Sequence, residues 1–84
     1  MNVSLRSVIG ELVNDGADFN FAVNFLVEYH RASIREVTEV VNSYIDTIQL
    51  ENESAHVDIK ECLIEARAPF LNRLKEFAQY LENI

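Results

Sequence analysis

The stretch DFNFAVNFLVEYHRA, residues 18–32, decides the fold, because it reads two ways. Phe19, Phe21, Val23, Phe25, Val27 and Tyr29 fall on alternate positions, as on one face of a strand. Asn20, Asn24, Glu28 and Arg31 recur instead at the spacing of a narrow polar stripe on a helix. A strand needs a partner, and a lone strand or hairpin is marginal in water. No other segment alternates over a comparable length, and the neighbours on both sides carry helical periodicity. The stretch is therefore read as a helix over 19–31, with Asp18 or Asn20 as its N-cap.

Upstream, Leu5, Val8, Ile9, Leu12 and Val13 mark an amphipathic helix over 4–14. Ser4 can cap its start, and Gly16 stands where a helix end favours a left-handed residue. Gly10, unfavourable inside a helix, suggests a close helix crossing. Downstream, SIRE at 33–36 has the form of a capping box. Ile34, Val37, Val40, Val41, Tyr44, Ile45 and Ile48 follow as a broad apolar stripe over 34–49. LENES at 50–54 reads as a polar break with Ser54 as the next cap. Val57, Ile59, Cys62, Leu63 and Ala66 then mark a helix over 55–67, with Cys62 expected on its buried side. Pro69 either kinks this helix or opens a new one over 70–83, where Phe70, Leu71, Leu74, Phe77, Ala78 and Leu81 form the strongest stripe in the chain.

The expectation is a single all-α domain over residues 1–84, a compact bundle of four to five short helices. Composition agrees: 84 residues make one small domain, 49% hydrophobic residues suffice for a core, and Gly 2 with Pro 1 leaves few tight turns. One cysteine cannot form an internal disulfide, and no apolar run is long enough to span a bilayer, so a soluble cytoplasmic protein without membrane contact is expected. Helix 19–31 is so broadly apolar that it is either the central helix of the bundle or buried partly against a second copy. A symmetric homodimer using Phe25, Tyr29, Phe70 and Phe77 is the reading carried forward, since aromatics dominate interfaces.

Chemistry is sparse. No phosphate-binding glycine loop and no nucleophile elbow occurs. No cofactor is implied. Glu53 and His56 form one E-x-x-H, the spacing with which a carboxylate and an imidazole can share a metal; doubled across a dimer, it would give a di-iron or manganese bundle. His30 suits the favourable field at a helix C-terminus. The helices flanking HRAS have the rough shape of a helix-turn-helix, but Glu36 and Glu39 would face the phosphates, which argues against direct nucleic-acid binding.

Charge carries the remaining signal. The net charge is −7, and residues 36–65 supply all of it, with eight acidic side chains against Lys60 alone. Glu36, Glu39 and Asp46 step along one helix; Asp58, Glu61 and Glu65 step along the next. These six are either a solvated face or a docking surface for a basic protein partner. The function expected is that of a non-enzymatic interaction protein, of regulator, inhibitor, antitoxin, immunity or adaptor type. The metal-binding bundle is the alternative.

Overall fold

A computed structural model describes residues 4–84. Four α-helices follow in order: α1 (Leu5–Asn14), α2 (Phe19–Glu28), α3 (Ile34–Ser54) and α4 (Val57–Glu82), with no strand among the described residues. The strand reading of residues 19–29 is thereby removed. The all-α bundle stands, with four helices.

The helix starts follow local chemistry. Ser4 accepts the Ser7 N–H at 3.1 Å, and Asp18 accepts that of Phe21 at 3.2 Å. Ser33 and Glu36 close a capping box. At the end of α1, Gly16 takes φ +74°, its N–H reaches Val13 O, and the Ala17 N–H reaches Leu12 O, which is a Schellman motif.

Four boundaries differ from expectation. Helix α2 stops at Glu28, with Tyr29 as its cap. The Ala32 N–H returns to Leu26 O while Ala32 is buried, and this reversal places Arg31 in the left-handed region at φ +56°. Helix α3 continues through LENES to Ser54, because Asn52 is buried and Arg67 reaches Glu51 (3.2 Å) and Asn52 (3.5 Å) from the neighbouring helix. The cap of α4 is consequently His56, whose Nδ1 accepts the Asp58 N–H at 3.3 Å, and not Ser54. The two helices expected at 55–67 and 70–83 are one, running through Pro69. Proline removes the N–H that would pair with Glu65 O, but both residues are exposed, so that carbonyl is not stranded in the core.

Helices α3 and α4 form an antiparallel hairpin joined by Ala55 and His56: Tyr44 meets Phe70 edge-on at 5.5 Å, and Glu51 meets Arg67. Helix α1 crosses α3 closely at Gly10, where an added Cβ would lie 3.1 Å from Tyr44 Oη. Arg6 stacks on the same Tyr44 ring at 4.4 Å. The core gathers Ile9, Leu26, Val37, Val41, Leu74 and Phe77, all completely enclosed. Phe19 seats α2 on α4 by stacking on Phe77 (5.1 Å), and Arg73 covers Phe19 at 4.3 Å while donating to Ala17 O at 3.0 Å.

Candidate functional site

Two surfaces need an explanation beyond folding: the outer face of α2 and the acidic hairpin. On α2, Ala22, Val23 and Leu26 are buried, so the helix anchors by one side only. It is not the enclosed central helix. On the other side, Phe21, Phe25 and Tyr29 succeed one another at four-residue steps. Their rings lie 6.0 Å (Phe21–Phe25) and 5.1 Å (Phe25–Tyr29) apart, the latter pair stacked. Phe21 is 56% exposed and Tyr29 74%. His30, just past the helix end, rests its ring 5.6 Å from Phe25. The result is an aromatic ladder edged by Asp18, Asn20, Asn24 and Glu28.

The four aromatics expected at a subunit contact do not share one face. Phe77 is fully enclosed within the chain and belongs to the core. Phe70 borders Ser7, Gly10 and Asn14, whereas Phe25 borders Val8, Leu12 and Asp15, which is a different side of α1. Phe25 and Tyr29 remain together, and Phe21 joins them. Phe21 escaped the sequence reading because apolar residues surround most of α2, and periodicity alone does not say which of them face out.

The six acidic side chains are all exposed, but they form two groups. Glu36 belongs to the capping box, and Glu39 pairs with Arg35 at 3.2 Å, near the start of α3. Asp58, Glu61 and Glu65 lie on α4 toward the turn at the other end of the hairpin. From Glu39 to Glu51, the level on α3 that Arg67 reaches, is about 18 Å at 1.5 Å per residue, well past the screening length in physiological salt. Asp46 lies between them. The stripes of α3 and α4 therefore do not merge into one continuous acidic sheet.

The residues near the hairpin turn depart furthest from expectation. No residue from 53 to 73 is buried. Val57 is 79% exposed and Ile59 56%, with Leu50 and Ile64 also exposed. Cys62, expected inside, is exposed as well. Of these, Val57, Ile59 and Cys62 were read as marking one helix, but at about 100° per residue Val57 and Ile59 fall on nearly opposite sides of α4, and among the described residues no third helix covers this end.

Chemistry finds little purchase. Glu53 is exposed, and His56 holds a helix cap 3.5 Å from Asp58. No cluster of three or more potential metal ligands occurs among the described residues, so Glu53 and His56 are not joined there into a larger donor set. A hollow of about 460 Å³ opens over Gly10 between Ser7, Glu11, Asn14, Tyr44 and Phe70. Its Ser7 hydroxyl is 3 residues from, and bonded to, that of Ser4 at 2.9 Å, with no histidine beside it. No described helix is long and apolar enough to cross a membrane. No family model matches the chain, and no curated protein and no solved structure is significantly similar to it.

Proposed function

We propose that this chain is a non-enzymatic, cytoplasmic interaction protein, a small acidic homodimer that binds a basic protein partner. The observation that carries the reading is the aromatic ladder of Phe21, Phe25 and Tyr29. A chain of this size has little apolar surface to spare, and stacked aromatics left in water are a characteristic of contact surfaces. The ladder is also self-complementary. A two-fold axis passing near Phe25 sets Phe21 of one protomer against Tyr29 of a second copy. The same axis brings Asp18 toward the region of Arg31, so opposite charges meet at both ends. Such an isologous contact satisfies both copies with one patch. The acidic groups of α3 and α4 then remain outward, available to a partner of opposite charge.

Sedimentation equilibrium tests the dimer. Native protein at tens of micromolar is expected to give twice the chain mass, and the double substitution Phe21→Ser/Tyr29→Ser the single mass. Both side chains are exposed, so the far-ultraviolet circular dichroism of the variant is expected to stay helical. A native protein that sediments as a monomer overturns the dimer.

A further inference from the structure

The apolar seam of α4 runs Ile59, Leu63, Ala66, Phe70, Leu74, Phe77 and Leu81, at steps of four and three that keep it on one side of the helix. Its second half is covered: Leu74, Phe77 and Leu81 are buried, and half-buried Phe70 meets Tyr44 of α3 edge-on across the hollow from Gly10 and Asn14 of α1. Its first half is not. Helix α1 begins at Leu5, and Arg6, bordering Ile48, Glu51 and Arg67, marks how far it reaches toward the hairpin turn. Past that level, Ile59 and Ala66 are exposed and Leu63 half-buried, with α3 the one described helix beside them. Among the described residues, the slot that α1 fills along α4 thus continues, unfilled, to the turn.

We propose that this slot binds a basic amphipathic helix of the partner protein, lying in line with α1 and completing the bundle at its open end. The proposal rests on the reading of the chain as an interaction protein and names the surface and the partner's chemistry. Charge selects the occupant. Arg67, turned toward Glu51 and Asn52, marks the side of α4 that faces α3. At about 100° per residue, Cys62 stands on the opposite edge of the seam, and Asp58 and Glu65 follow behind it on the exposed outer flank of α4, so a helix lying in the slot sits within their negative field. Between Leu50 and Arg67 there are five acidic side chains (Glu51, Glu53, Asp58, Glu61, Glu65) against Lys60 and Arg67. A second copy of this hairpin would bring the same excess and repel it. A helix with leucine-like residues on one face and lysine or arginine at its edges is attracted by that field and buries the seam.

The probe is a fluorescent designed helix of about 18 residues, five turns, built of leucine and lysine, beside a counterpart with glutamate in place of lysine. Anisotropy titration of the native protein is expected to show binding of the lysine peptide only, weakened by added salt. Ile59→Ser and Ala66→Arg, both at exposed positions, are each expected to weaken it about tenfold or more, the equivalent of roughly 1.4 kcal/mol. The Phe21→Ser/Tyr29→Ser protein is expected to bind as the native one does, which keeps this test separate from that of the dimer. Absence of binding to the native protein, or equal affinity for the Ile59→Ser and Ala66→Arg variants, overturns the proposal. So does a native oligomer that Ile59→Ser dissociates and the α2 double substitution does not, since the occupant is then a second copy.

Discussion

The two halves of α4 carry the same apolar seam and meet different fates. From Phe70 onward, α1, α2 and α3 close over it, and Leu74 and Phe77 lose all contact with solvent. From Val57 to Ala66 the same kind of side chains have α3 as their one described neighbour, and none is buried. The difference lies less in the residues than in helix lengths. Helix α1 has 10 residues and α4 has 26, roughly 15 Å against 39 Å. A short helix cannot cover a long one. Two helices in water cannot enclose their own seam, so folding strength concentrates at one end, leaving the other as surface.

The largest effect expected from this contrast is in stability. Phe77→Ala removes an enclosed aromatic and is expected to cost about 3–5 kcal/mol, the range for such truncations. An 84-residue domain holds about 4–13 kcal/mol in all, so this variant is expected to be largely or wholly unfolded at mild urea concentrations. Ile59→Ala, the same seam at the open end, is expected to stay within about 0.5 kcal/mol of the native protein. Urea titrations followed by circular dichroism compare the two. A loss of around 2 kcal/mol at Ile59 would mean that something covers the arm in the isolated protein, and the contrast would fail.

Pro69 stands where the covered part of the seam gives way to the open part. Proline in a helix interior costs about 3 kcal/mol relative to alanine, part of it offset because proline also restricts the unfolded chain by up to about 1 kcal/mol. Pro69→Ala is therefore expected to stabilise the protein by roughly 2 kcal/mol, restoring the N–H that Glu65 O lacks. Hydrogen exchange sharpens the comparison. Amides of residues 57–66 are expected to exchange faster than those of 74–81 in the native protein, and Pro69→Ala is expected to narrow that gap. Uniform slow exchange along all of native α4 would show that the arm and the closed end unfold as one unit.

Much of this was legible in the sequence, and what was not has a physical reason. The apolar stripes of α1 and α3, the second half of α4, the Ser33–Glu36 box and the turn at Gly16 all rest on interactions within a few residues of one another. Gly10 was legible too, because a glycine inside a helix has few other uses. Pro69 left open whether α4 is one helix or two, and counting it as two hid the length mismatch that opens the arm. LENES misled because the burial of Asn52 and its approach to Arg67 is a tertiary contact between residues fifteen apart, invisible to local pattern. Of the candidate site, Phe25 and Tyr29 were picked out and Phe21 was not, since a helix apolar nearly all round does not announce its outer face. The acidic residues were identified one by one, but their separation into two groups depends on the direction of the hairpin.

The closed end also tolerates a backbone conformation that the arm never adopts, and this yields the smallest expected effect. Helix α2 is bounded by two left-handed residues, Gly16 at φ +74° and Arg31 at φ +56°, and Arg31 is the one non-glycine residue with positive φ among those described. For a residue bearing a Cβ, the left-handed region costs about 1–2 kcal/mol. The Arg31 side chain is exposed, so little contact is lost when it is removed, whereas the burial of Ala32 next to it keeps the reversal in place. Arg31→Gly relieves the strain but gives the unfolded chain more freedom, worth about 0.4–1 kcal/mol in the other direction. The net expectation is a stabilisation of about 0.5–1 kcal/mol. Gly16→Ala is the mirror experiment: no atom lies within 4 Å of the added Cβ, so the backbone alone opposes it, and a loss of about 1 kcal/mol is expected. Urea midpoints for the two variants should therefore move in opposite directions. If Arg31→Gly destabilises the protein, the Arg31 side chain contributes to the closed end despite its exposure, and the reversal after α2 is held by more than the burial of Ala32.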